Sequence, residues 1–133
     1  MKHGETLDQV LRRMSAVLFP ERAGEPGPVG VHSRRSDGDT PLHIASLEGN
    51  RHATRLLLEA GADVNAKGDM SCSPLYFAVM GKHVQVAGLL LQHGADPDAE
   101  SELGYTPRTL AKDKGDKAMM ALLRQHKEPS RQR

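Results

Sequence analysis

Seven histidines in 133 residues are the first place to look for metal chemistry. Two histidines four apart on one helix, with a carboxylate between them, would hold zinc beside a general base. His32, His52, His83, His93 and His126 show no such pairing. The single cysteine, Cys72, excludes an internal disulfide and any cysteine-based zinc site. A reactive thiolate needs a cationic neighbour, and Asp69 works the other way. Cys72 therefore reads as an exposed, unreactive thiol. Gly81-Lys82 lacks the preceding glycine of a phosphate-binding loop. No nucleophile elbow or paired-carboxylate motif is present. The expectation is a non-catalytic chain with no metal and no cofactor.

Stepping along the chain reveals an internal period. Thr40-Pro41-Leu42-His43-Ile44-Ala45, Ser73-Pro74-Leu75-Tyr76-Phe77-Ala78 and Thr106-Pro107-Arg108-Thr109-Leu110-Ala111 start 33 residues apart. The same offset relates Leu57, Leu90 and Leu123, and relates Gly61-Ala62-Asp63 to Gly94-Ala95-Asp96. Thr or Ser before Pro is a helix start: the hydroxyl caps orphan N–H groups, and proline at the first helical position loses no bond. Gly49 and Gly115 end the first helix of their copies, with Gly81-Lys82 one position displaced in the middle one. A leucine-rich second helix follows and stops at Gly61 or Gly94. Ala45, Ala78 and Ala111 let two helices approach closely. Helices are expected over 41–48, 51–60, 74–81, 84–93, 107–114 and 117–125.

These motifs resemble the ankyrin repeat, whose signature is T-P-L-H-x-A at period 33. The resemblance runs from about Gly38 to His126. It implies an all-α solenoid of three helix–turn–helix repeats, with β-turn fingers projecting to one side. Arg108 and Thr109 replace the expected Leu-His in the last copy, and Lys127 replaces a glycine, as suits a C-terminal cap with one face in water. Before the repeats, Thr6-Leu7-Asp8-Gln9 fits a capping box. Leu7, Val10, Leu11, Met14 and Leu18 fall on one helical stripe, which Pro20 ends. Gly24 to Pro28 is turn-rich, and Val29 to His32 aligns with Ala62 to Asn65. The segment reads as a degenerate half repeat, an N-terminal capping helix followed by a finger. The expected division is a cap over 1–36, repeats over 37–69, 70–102 and 103–127, and a basic tail over 128–133.

The resemblance also implies where a partner would bind: the fingers and the exposed edge of each first helix. Carried over by position, these are Arg34, Asp37, Asp39, Leu47 and Glu48; then Lys67, Asp69, Met70, Cys72 and Met80; then Glu100, Glu102, Leu103, Tyr105, Asp113 and Lys114. The family uses the signature histidine, here His43, to hydrogen-bond neighbouring loops. Met70, Met80, Leu103 and Tyr105 are apolar at positions expected to be wet, the mark of binding anchors. Asp37, Asp39, Asp69, Glu100 and Glu102 would form an acidic rim around them.

Composition agrees. Aromatics are 3%, with no tryptophan, so the core must come from aliphatic residues suited to helices. The net charge of +1 argues against a nucleic-acid binder. Residues 37–126 hold 9 basic and 12 acidic residues, whereas both flanking segments are basic. An acidic groove repels phosphate backbones and steers toward basic protein surfaces. No apolar run approaches the roughly 20 residues of a membrane span, and Met1–Gln9 has no apolar signal core, so a cytoplasmic chain, monomeric on its own, is expected. A stack this short also resembles small bacterial ankyrin proteins, some of which are immunity proteins that neutralise a toxin. On that resemblance the chain occludes a toxin or effector with a basic surface. The alternative is a regulatory or inhibitory adaptor of an endogenous enzyme.

Overall fold

A computed structural model describes residues 4–18 and 30–126. Pro20, the turn-rich 24–28, Val29, Lys127, the tail 128–133 and the side chain of Leu18 lie outside the described residues. Among the described residues there are seven α-helices, a single 3₁₀ turn and no strand. The helices are α1 (Leu7–Leu18), α2 (Pro41–Glu48), α3 (Arg51–Glu59), α4 (Pro74–Met80), α5 (Val84–Gln92), α6 (Pro107–Lys114) and α7 (Lys117–Gln125); the 3₁₀ turn is Asp69–Ser71. The six repeat helices, α2 to α7, lie within one residue of their expected ends.

The starts follow from the sequence. Thr40, Ser73 and Thr106 hold extended backbone, and each hydroxyl accepts from the N–H three residues on. Asn50 and Asp116 cap α3 and α7 in the same way. At the N-terminus the Thr6 N–H donates to Gln9 Oε1 at 2.9 Å, and the Gln9 N–H to Thr6 Oγ1 at 3.2 Å. Gly49 and Gly115 end α2 and α6 in the left-handed region, at φ 73° and 65°. In the middle copy Gly81 stays right-handed and Lys82 takes the left-handed position, at φ 63°.

Inner helices α2, α4 and α6 pack side by side, and outer helices α3, α5 and α7 lie behind them. Ala45, Ala78 and Ala111 are fully buried between layers, with Leu57 and Leu90. The α1 helix closes the first end against α2 and α3. It fully buries Val10 and Met14, worth roughly 1.5–3 kcal/mol each relative to exposure. The other end is closed differently. Arg108, at the register of the buried Leu42 and Leu75, donates from Nε to Asp98 at 2.9 Å and from its guanidinium nitrogens to the carbonyls of Leu123 and His126, both at 2.6 Å. It gives His126 O a donor and adds a second one to Leu123 O, which already accepts the His126 N–H at 3.1 Å.

Candidate protein-binding surface

Hydrogen bonds between fingers set the platform. The turns are held by matching backbone bonds, Arg35 N–H to Asp39 O, Gly68 N–H to Cys72 O and Ser101 N–H to Tyr105 O. Between the first two fingers, the Asp69 N–H donates to Asp39 Oδ1 at 2.8 Å, and Arg34 donates to the carbonyls of Gly38 and Lys67, both at 2.8 Å. Between the second and third, the Glu102 N–H donates to Met70 O at 2.9 Å. Met70 and Ser71 both hold left-handed backbone, at φ 57° and 59°. Gly38 and Gly104 relax the register position of Ser71 in the neighbouring fingers.

Histidines tie the layers. His43 Nδ1 accepts from the Thr40 N–H at 3.1 Å, which leaves the proton on Nε2 to donate to Cys72 O at 2.9 Å. The ring also meets Phe77 edge to face, with centroids 5.4 Å apart. Burial pushes its pKa down. His83 Nε2 donates to Leu47 O at 2.9 Å, and its ring occupies space that a side chain at Gly49 or Gly81 would fill. His52 Nε2 donates to Glu5 O at 2.7 Å, joining α3 to the N-terminal cap.

Two expectations need correction. Asp39 is not part of an exposed rim: only 6% of it is accessible. It is clamped between the first two fingers by the Asp69 N–H, and a side chain at Gly68 would fall on its carboxylate. Burial pushes its pKa up. Cys72 is likewise buried. Its thiol is pushed up to about 11 by burial and by Asp69, Asp39 and Glu102, so it is inert for the environment expected but not for the exposure. Both residues occupy the register position just before the helix cap, where the next finger covers them. Tyr105 holds that position in the last finger, which no described residue covers.

The remaining positions sort by register. At the fingertips stand Asp37, Met70 and Leu103; along the inner helices stand Leu47, Met80 and Asp113, each set 33 residues apart. Leu47, Met70, Met80, Leu103 and Tyr105 are 39–71% accessible and are the exposed large hydrophobics among the described residues. Asp37, Lys67, Asp69, Glu100, Glu102, Asp113 and Lys114 are exposed as well. Arg34 is exposed yet holds two carbonyls, and Glu48 faces Arg13 at 3.4 Å. Tyr76 was not among the sequence-derived site residues. It stands at the register of His43, half-buried, its phenol pushed up by burial and by Cys72, Tyr105 and Asp113. The signal was present: a tyrosine replacing the signature histidine.

Residues 18–101 match the description of ankyrin repeats in three copies. The chain belongs to the ankyrin-repeat family. Ankyrin repeats generally mediate protein–protein interaction, and among the described residues the exposed large hydrophobics stand on the inner helices and the finger turns. The match stops at Ser101, yet α6 repeats the capped, left-handed-terminated geometry of α2, and α7 repeats the side-chain-capped start of α3. Among curated proteins, the serine/threonine-protein kinase VIK of Arabidopsis thaliana is 54% identical over 43 residues, which is 32% of this ankyrin chain and 10% of the kinase. The chain thus aligns with about a tenth of that relative's length. No described helix is long and apolar enough to cross a membrane. Among the described residues, no group of three His, Cys, Asp or Glu side chains could hold a metal ion.

Proposed function

We propose that this ankyrin stack is a non-catalytic protein-binding module that grips a basic partner protein on its concave face. The observation that carries this is the location of the exposed large hydrophobics: all five stand on fingers or inner-helix edges. Leu47, Met70, Met80, Leu103 and Tyr105 anchor the partner. Asp37, Asp69, Glu100, Glu102 and Asp113 form the acidic rim that steers it, with Arg34, Glu48 and Lys67 at the border. The cap over 1–36 and the repeats over 37–69, 70–102 and 103–127 share the work: the cap supports, and the repeats bind. The narrower reading is occlusion of a toxin or effector enzyme. The similarity to a stretch of a serine/threonine-protein kinase favours a second reading, an adaptor of an endogenous enzyme.

Affinity capture from the native host, followed by mass spectrometry, identifies the partner. Binding should then weaken by about 2 kcal/mol or more in a Met70→Ala/Leu103→Ala variant, mainly through faster dissociation. Asp69→Lys should instead slow association, with a penalty that shrinks at high salt. Gln92→Ala on an outer helix should change neither. If the complex ignores the first two changes, the concave face is not the interface. Stoichiometric loss of the captured enzyme's activity supports occlusion, whereas full activity in the complex supports an adaptor.

A further inference from the structure

The two junctions between repeats are closed differently. At the first, the His43 ring fills the space beneath the second finger and donates to Cys72 O. At the second, Tyr76 takes that register, and its hydroxyl makes no hydrogen bond with a described residue. Among the described residues, the equivalent carbonyl, Tyr105 O, receives only the Ser101 N–H. A buried imidazole is thus replaced by a half-buried phenol at the junction that leads to the exposed Tyr105. Met80 lies one turn beyond Tyr76 on the same face of α4. Asp113 holds the position of Met80 on the neighbouring α6, and Lys112 and Lys114 project from other faces of that helix.

We infer that the exposed face of this second junction receives an arginine side chain of the partner, which stacks on Tyr76 and Tyr105 and is aimed at the Asp113 carboxylate. This rests on the concave face being the interface. Two phenol faces and a thioether beside a carboxylate attract a cation and repel an anion. The same surroundings push the Tyr76 phenol up. A guanidinium fits better than an ammonium: it is planar, stacks on rings, is weakly hydrated and can fork onto a carboxylate.

Nuclear magnetic resonance titration of the full chain tests this, using the blocked peptide Gly-Leu-Arg-Leu-Gly and twins carrying lysine or citrulline at the centre. The arginine peptide should shift the amides of Tyr76, Tyr105 and Asp113 saturably, and bind about threefold or more tighter than either twin. Asp113→Asn should remove that preference without changing the melting temperature, since the residue is exposed. Equal binding of the three peptides, saturable shifts elsewhere only, or no saturable shift would overturn the assignment. If the arginine preference is absent while partner capture still needs Met70 and Leu103, this inference alone fails. If capture ignores those two residues, the interface itself fails.

Discussion

Imidazole serves here as a joint between layers, and a joint of that kind leaves a pH signature. His43 is fully buried with both ring nitrogens bonded, one to Thr40 and one to Cys72 O. Its pKa is lowered by burial from the ordinary 6.5. The unfolded chain therefore binds the proton first. As pH falls below 6.5 the unfolded state gains it and the folded state does not, so stability is lost until the folded pKa is reached. Asp39 has the opposite sign: its raised pKa makes ionisation costly in the fold, so its contribution weakens stability as pH rises above the ordinary 3.8. The two windows differ. Between pH 7 and pH 5.5 the melting temperature should fall, and His43→Gln should flatten that slope. Glutamine at this position can still accept from the Thr40 N–H, so the helix start is retained. An unchanged slope in calorimetry would place the titration elsewhere.

Helix endings show how one register tolerates different solutions. Gly49, Lys82 and Gly115 are equivalent, and all three hold left-handed backbone. A non-glycine residue there costs roughly 1–2 kcal/mol, against an entropic cost of about 0.5–1 kcal/mol for glycine. Lys82→Gly should therefore stabilise the protein by about 0.5–1 kcal/mol, read as a higher denaturant midpoint with an unchanged slope. Gly81 cannot take that role in exchange for a larger residue, because the His83 ring occupies the space its side chain would need. His83 itself begins α5 without capping it, since its ring reaches back to Leu47 O instead. The helix start gives up a cap so that two repeats can be tied. At the C-terminal pair, Arg108 exchanges core packing for two bonds to the end of α7 and one to Asp98.

A stack whose layers touch only their neighbours distributes stability by position. Leu90 is fully buried in α5, which packs against α3 on one side and α7 on the other. Leu90→Ala should cost about 2–5 kcal/mol. Leu123 is 2% accessible but belongs to α7, the last layer described. Leu123→Ala should cost less, because surroundings with one neighbouring layer collapse more easily around the lost volume. Equal losses in denaturant unfolding would mean that another surface covers α7 in solution.

The period of 33, the Thr/Ser-Pro starts and the leucine triplets determined the architecture, because caps, glycines and apolar stripes act over a single turn of helix. For the same reason the ends of the helices were legible to within a residue. The exposure of Met70, Met80, Leu103 and Tyr105 was legible too, because a residue on a finger or at the outer edge of an inner helix has few neighbours to cover it. Only the tertiary structure decided Asp39 and Cys72. Both sit in positions that look exposed within their own repeat, and both are covered by the finger of the next one. Tyr76 came to light by the same route, since a half-buried phenol at a histidine's register has meaning only beside Tyr105 and Asp113. Burial between repeats depends on how successive layers stack, and no residue carries that information in its own local sequence.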